Sequence, residues 1–343
     1  MSSVFDEDLD KIARTIADLG FSRKTFFITG ATGLVGSILV KSIIFANDRY
    51  SLENRVIAQI RNPAKAKRVF SGFEGIDYCV GDITEPIVYD GAVDYIIHAA
   101  SETRSKNMVE RPVETLWTTL CGSKNVLDFA CAKSVEKMIF VSSMEAFGAV
   151  DSDERVSEET LGYIDLRKPR SCYPESKRMV ENMCACYFAE YGVPVTTVRL
   201  AQTFGAGVAA DDTRVYAQFA RSVVNGTDIV LHTAGQSCGN YVYTADAATA
   251  IFTVLAKGAS SDCYTVANEA SSMRILDMAN LVAEKVADGK INVVIDIPEN
   301  AHFGYAADTK LRLDASKMRE LGWTAQVGLE EAYRRMLQSW QEK

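Results

Sequence analysis

A chain of 343 residues, 48% of them apolar, can bury a substantial core and allows one large domain or two intimate ones. Its net charge is −8, its isoelectric point is near 5.1 and its basic residues are scattered, which argues against nucleic acid and anionic membrane as partners. No apolar run reaches the roughly 18 residues of a membrane span, and the start, acidic at Asp6, Glu7, Asp8 and Asp10, lacks a signal-peptide pattern, so a cytoplasmic protein is expected.

Leu9, Ile12, Ile16 and Leu19 keep a helical spacing and predict a helical extension, residues 1–24, lying on the domain that follows. The apolar run Thr25 to Thr29 reads as a strand. Gly30-Ala31-Thr32-Gly33-Leu34-Val35-Gly36 then reads as a tight turn into a helix whose buried face carries Leu34, Val35, Ile38, Leu39 and Ile43. Strand, glycine turn and helix together are the context of a dinucleotide site. Glycine permits the turn and leaves room for a pyrophosphate against the helix N-terminus, whose amides and dipole favour anions. After the second strand, Arg55 to Ile60, an NAD enzyme usually offers an acidic residue to the adenosine ribose. Here Arg61 and Asn62 stand there. A cation at Arg61 suits a 2′-phosphate, so NAD and NADP both stay open and the residues incline to NADP.

Further strands are expected at Asp77 to Val80, Tyr95 to His98, Lys137 to Ser142 and Val195 to Leu200, with helices at Pro112 to Lys133 and Ser176 to Tyr191. This alternation predicts an α/β fold, a Rossmann-type doubly wound parallel sheet covered on both faces. Residues 25–200 form the NAD(P)-binding domain in this reading. The pattern loosens after Arg199, with glycine-rich loops at Gly205 to Gly207 and Gly235 to Gly239. A helical segment, Ala245 to Lys257, returns to the sheet within 240–258, while Ile275 to Val286 and the tail from Leu313 help build a smaller C-terminal substrate-binding lobe, 201–239 with 259–343. Eight cysteines and three histidines show no zinc-like spacing, so free thiols and no metal are expected.

Tyr173-Pro174-Glu175-Ser176-Lys177 opens a helix and sets Tyr173 and Lys177 one turn apart on one face. An ammonium close to a phenol favours the phenolate and lowers its pKa toward the working pH. Such a phenol takes a proton from a substrate hydroxyl or returns one to a ketone. A third member is expected at the end of an upstream strand, where Ser142 and Ser143 both offer a hydroxyl.

With these motifs the chain resembles the extended short-chain dehydrogenase/reductases, the family of nucleotide-sugar epimerases, dehydratases and decarboxylases, from about Phe26 to Trp323. Asp82-Ile83 matches the family's pair at the adenine. His98-Ala99-Ala100-Ser101 matches its loop over the cofactor, and Ser142-Ser143-Met144-Glu145-Ala146-Phe147-Gly148 its Ser/Thr motif. Ser171-Cys172-Tyr173 through Lys177-Arg178, and Thr203-Phe204-Gly205, are most similar to UDP-glucuronate decarboxylases and their dehydratase-like relatives. The resemblance selects Ser143 over Ser142. It implies that Tyr173 deprotonates a sugar C4 hydroxyl while nicotinamide accepts the hydride, with Ser143 orienting the oxygen and Lys177 binding the nicotinamide ribose. The resulting 4-keto sugar opens epimerisation, dehydration or decarboxylation.

Glu145 is the second acid/base candidate by the same resemblance, and Glu102, Thr103 and Gln202 are candidate substrate contacts. Two departures stand out. Met144 replaces the aspartate of dTDP-glucose 4,6-dehydratases. The run Ser237-Cys238-Gly239-Asn240-Tyr241-Val242-Tyr243 lacks the arginine with which many relatives hold the substrate diphosphate, so Arg214 or Arg274 is the candidate replacement. The implied partner is a nucleotide sugar, and the helices at Pro112 to Lys133 and Ser176 to Tyr191 imply a homodimer. Two other readings use the same residues: an NADPH-dependent ketone reductase, and a non-catalytic dinucleotide-binding sensor.

Overall fold

The computed structural model describes residues 3–150, 152–297 and 309–342; residues 298–308 of the expected substrate lobe lie outside them. Helix α1 (Val4–Asp18) opens on a reciprocal cap, in which the Ser3 hydroxyl accepts from the Asp6 N–H and the Asp6 carboxylate accepts from the Ser3 N–H. There follow β1 (Thr25–Thr29), α2 (Leu34–Tyr50), β2 (Arg55–Ile60), α3 (Pro63–Val69), β3 (Ile76–Val80), β4 (Tyr95–His98), α4 (Ser105–Glu110), α5 (Pro112–Lys133), β5 (Lys137–Ser143), α6 (Cys172–Tyr191) and β6 (Val195–Leu200). The remainder comprises β7 (Gln202–Phe204), α7 (Val215–Asn225), β8 (Ile229–Leu231), β9 (Cys238–Tyr243), α8 (Thr244–Lys257), β10 (Cys263–Val266), β11 (Asn268–Arg274), α9 (Ile275–Leu281), β12 (Val293–Ile295), α10 (Ser316–Glu320) and α11 (Leu329–Gln341).

Seven strands pair in parallel in the order β10-β6-β5-β4-β1-β2-β3. Successive residues of a strand point to opposite faces, and the sheet uses this to build two cores. Ile28, Val56, Ile97, Ile139 and Val198 pack with Ile12, Ile38 and Ile251 of α1, α2 and α8. Phe27, Ile57, Ile96, Met138 and Val195 pack with Val126, Leu127 and Val180 of α5 and α6. Both faces are therefore covered, which is why these strands read as near-continuous apolar runs. The strand order reverses direction between β1 and β4, so the loops that follow these two strands open a crevice at one sheet edge.

Smaller sheets, β11-β9-β7 and β12-β8, lie beyond β6 in the chain. Helix α8 folds back onto β5 and β6, and α1 packs on α2 and α8. Among the described residues no helix is long and apolar enough to cross a membrane, and all eight cysteines are free thiols.

Candidate functional site

Gly30 follows β1 with φ of +63°, and a Cβ there would sit 2.6 Å from the Ala99 carbonyl oxygen and 2.7 Å from the Ala100 nitrogen. The turn thus lies directly against the loop after β4. Gly36 is equally constrained, since a Cβ would approach the Gly30 carbonyl oxygen to 2.2 Å. Gly33 is different. It donates to the Gly30 carbonyl at 2.9 Å, caps α2 without any side-chain bond, and a Cβ there would meet only the Gly30 oxygen, at 3.2 Å. The first amides of α2 thus have no side-chain cap, and Thr32, Leu34 and Val35 beside them are half-buried. Nearby in sequence to Ala100, the Ser101 hydroxyl oxygen is buried with no partner among the described residues. An uncapped helix N-terminus, a glycine-lined cradle and an orphaned hydroxyl fit a dinucleotide with its pyrophosphate on α2.

At the far end of the cradle, Asp82 accepts from the Thr84 N–H at 3.0 Å and its hydroxyl at 2.8 Å. These bonds hold its carboxyl below the usual range. Arg61 lies 3.7 Å from the same carboxylate and is 79% exposed, while Asn62 caps α3 by accepting from the Lys65 N–H. Ile83 is buried against Gly122 of α5. Buried His98 joins Thr29 (2.7 Å) to Ser123 (2.9 Å), and Thr29 Oγ1 also accepts from the Ala100 N–H. Burial, aided by the Lys177 charge, pulls the imidazole down to about 3, so a neutral ring fixes the loop at Ala100.

The candidate reacting groups lie at the end of β5 and the start of α6. Ser142 and Ser143 separate cleanly, because Ser142 donates to Glu181 at 2.5 Å whereas Ser143 Oγ accepts from the Glu145 N–H at 3.2 Å and acts to lower the pKa of the Tyr173 phenol. Tyr173 and Lys177 share one buried face of α6, at 7% and 2% exposure. Lys177 Nζ donates to the Val141 carbonyl at 2.9 Å and lies 5.8 Å from the centre of the Tyr173 ring. The expected lowering of the phenol is overturned. Burial, followed by the Glu145 charge, pushes Tyr173 up to about 12, against Ser143, Arg170 and Arg214. Burial likewise pulls Lys177 down to about 8. Desolvation outweighs the neighbouring charge for both groups.

Glu145 sits on the short turn Met144–Phe147 and accepts from Arg170 Nη2 at 2.9 Å. Sequence reasoning missed Arg170; its one signal was a cation three residues before Tyr173. Arg214 is paired with Asp212, lies 5.0 Å from the Tyr216 ring centre and sends its charge to Tyr173. Gln202 keeps a buried Oε1 without a partner among the described residues. Glu102 accepts from the Arg104 N–H and from Asn107 Nδ2, and Thr103 is exposed. The structure brings Ser143, Glu145, Tyr173, Lys177 and Arg214 together. Arg274 stands apart, half exposed and taken up by Asp277 at 2.8 Å and Gln236 at 3.3 Å.

Strand β9, in which the expected arginine is absent, is closely packed. At Gly239 a Cβ would come within 2.4 Å of Tyr241 Oη, and the strand is covered by residues 309–313. Cys238 N–H donates to the Thr309 carbonyl at 2.7 Å, and Asn240 bonds both the Leu311 carbonyl and the Leu313 N–H.

Relatives with known names share this framework. UDP-glucuronic acid decarboxylase 1 of Xenopus tropicalis is 27% identical over 312 residues, 90% of this chain and 70% of the relative. Among solved structures, the UDP-N-acetylglucosamine 4-epimerase of Methanobrevibacter ruminantium M1 in complex with UDP-N-acetylmuramic acid superposes with a TM-score of 0.78 at 17% identity, covering 94% of this chain and 99% of the other. The dTDP-glucose 4,6-dehydratase DesIV of Streptomyces venezuelae, with NAD and TYD bound, superposes with a TM-score of 0.74 at 21% identity, covering 93% and 97%. These superpositions share the fold built above. The model of one family spans residues 26–268, from the first strand through the glycine turn, the Ser143 turn and the Tyr173 helix to β11; this chain belongs to the NAD dependent epimerase/dehydratase family.

Proposed function

We propose that the protein converts a nucleotide sugar by oxidising its C4 hydroxyl transiently, with epimerisation, dehydration or decarboxylation before the hydride returns. The observation that carries this reading is the placement of a second acid/base group, Glu145, on the turn that also holds Ser143 beside Tyr173. A one-step reductase needs only the phenol. The nicotinamide, when bound, supplies a reversible hydride acceptor. Tyr173, once its phenol has lost its own proton, takes the proton of the sugar hydroxyl on Oη, and Ser143 Oγ holds the same oxygen. Lys177, one turn further along α6 and 5.8 Å from the centre of the Tyr173 ring, is proposed to meet the nicotinamide ribose. Once the oxygen is a carbonyl, neighbouring C–H and carboxylate bonds weaken, and Glu145 is placed to move the proton that the next step requires.

NAD is the proposed cofactor, supported by the family description and by the NAD-bound relative. NADP is the second reading, carried by the exposed Arg61. Arg214 and Gln202 are proposed substrate contacts, within a division that assigns 25–200 and 240–258 to the cofactor and 201–239 with 259–343 to the sugar. The test is to denature freshly purified protein, identify released dinucleotide by mass spectrometry, and incubate native protein with UDP-, GDP-, CDP- and dTDP-sugars without reductant. A sugar changed in mass or configuration supports the cycle and names its branch. Turnover only with added NADPH overturns it in favour of a reductase.

A further inference from the structure

Three groups beside the Tyr173 phenol, Ser143, Glu145 and Arg170, are linked to one another and to its ring. Ser143 accepts from the Glu145 N–H and acts to lower the pKa of the phenol. Glu145 accepts from Arg170 at 2.9 Å, and the Arg170 guanidinium carbon lies 5.8 Å from the centre of the Tyr173 ring. Both ends of the ion pair are held by rigid backbone. Arg170 lies on the turn Pro169–Ser171, which runs directly into α6 and is pinned by the Ser171 hydroxyl on the Asp165 carbonyl at 2.7 Å. The Glu145 turn is clamped to α6 by Arg178, which donates to the carbonyls of Ala146 (2.7 Å) and Phe147 (3.1 Å). Arg178 therefore fixes the backbone, whereas Arg170 meets a carboxylate.

A carboxylate beside the phenol opposes the phenolate, since like charges repel. A guanidinium stays charged throughout and its donors are fixed in a plane. We propose that Arg170 is a positioning residue that holds Glu145 on its turn beside the Tyr173 phenol and offsets the carboxylate's charge there. The inference rests on the proposed function only in calling Glu145 and Tyr173 acid/base groups. The groups facing the phenol are Ser143 and Glu145 from the end of β5, Arg170 from the turn before α6, Lys177 from α6, and Arg214 from the start of α7. Of the cations, Arg214 is already matched by Asp212 and Lys177 is turned to the Val141 carbonyl. Arg170 is the cation that touches Glu145 directly.

The test replaces Tyr173 with 3,5-difluorotyrosine, which ionises at lower pH than tyrosine, and follows the phenol by fluorine NMR in otherwise unaltered protein and in Arg170→Met, Glu145→Gln, Arg170→Met/Glu145→Gln and Arg170→Lys. Arg170→Met is expected to raise the ionisation midpoint by about one pH unit. Glu145→Gln is expected to lower it. The double variant should return near the starting midpoint, and Arg170→Lys should retain most of the offset. An unmoved midpoint in Arg170→Met overturns the proposal, as does a double variant that stays raised, because the effect would then bypass Glu145. Thermal melting checks each variant, and Arg170→Gln replaces Arg170→Met with the same expectation where the latter does not fold. Expected fluorine shifts without turnover of any nucleotide sugar would retire the proposed function and leave this inference standing; turnover without the shifts would do the reverse.

Discussion

Lys177 Nζ stands 5.8 Å from the centre of the Tyr173 ring and donates to the Val141 carbonyl at 2.9 Å. The lysine is thus poised beside the phenol at a cost in stability. Its pKa falls from 10.5 to about 8 through burial, so the unfolded chain holds this proton more tightly than the folded one. Below pH 8 the site carries its full penalty, about 3 kcal/mol from the shift, and the penalty fades as pH rises from 8 toward 10.5. Lys177→Met should remove that penalty while leaving the Val141 carbonyl without its donor. The expected result is a net gain of about 1 kcal/mol at pH 7 that turns into a net loss of about 1 kcal/mol by about pH 10, where the penalty has faded and the lost donor remains, with turnover reduced on the order of 100-fold or more. Denaturant titrations at the two pH values check it, and a loss of stability at pH 7 would show that the burial cost is offset elsewhere.

The glycine turn separates two kinds of necessity. Gly36→Ala drives a methyl group into the Gly30 backbone, 2.2 Å from its carbonyl oxygen. It should cost upward of about 3 kcal/mol, the scale of overpacking against atoms that cannot yield. Gly33→Ala has an ordinary φ of −84° and a single tight contact, 3.2 Å to the Gly30 oxygen, so it should cost about 1 kcal/mol, well below Gly36→Ala. Its methyl group would stand where the pyrophosphate is proposed to sit, and dinucleotide affinity should fall at least about tenfold, about 1.4 kcal/mol. Calorimetric titration with NAD and with NADP, alongside melting curves, reads both effects and the cofactor preference.

Most of the sheet was legible in the sequence because its strands are buried on both faces. Thr25–Thr29, Arg55–Ile60, Tyr95–His98 and Val195–Leu200 fall at the expected limits, β3 starts one residue earlier at Ile76, and β5 runs one residue further to Ser143 through pairing with Leu200. Strands β9 and β11 carried no such signal. Cys238-Gly239-Asn240 and Asn268-Glu269-Ala270 lack apolar alternation, and partners distant in sequence make them strands. At the site, spacing set Tyr173 and Lys177 on one face of a helix, and the family resemblance chose Ser143 over Ser142. Arg170 escaped because an ion pair between residues 25 apart has no periodicity, and the direction of the Tyr173 shift escaped because desolvation depends on burial that spacing does not encode.

Asp8 makes the attachment of the N-terminal helix sensitive to pH. Its carboxylate accepts from Tyr243 Oη at 2.5 Å and from Arg335 at 3.2 Å, yet burial dominates and raises it from 3.8 to about 6. The folded state therefore binds the proton more tightly. Folding is favoured below about pH 4 and loses stability as pH rises through 4 to 6, by about 3 kcal/mol at full ionisation. Asp8→Asn keeps an acceptor for Tyr243 without the charge. It should be about 1 kcal/mol more stable than the original chain at pH 7.5 and equal to it at pH 4. The opposite ranking at pH 7.5 would mean that Arg335 and Tyr243 outweigh the burial of the charge.

The homodimer can be tested on one apolar strip. Val113 and Trp117 lie one turn apart on α5 at 75% and 62% exposure, Met179 of α6 is 53% exposed, and α5 packs along α6. In a two-fold dimer each such residue is buried twice, once from each copy. A tryptophan covers roughly 150–250 Å², so at about 25 cal/mol per Å² two of them would supply several kcal/mol, enough to matter to a micromolar association. Trp117→Glu replaces that burial with paired carboxylates that repel each other across the axis. Sedimentation should show the original chain as a dimer and the variant as a monomer, with unchanged melting at high dilution because Trp117 contributes little to the core of its own subunit. A monomeric original chain at tens of micromolar would remove the dimer and leave the strip as exposed surface.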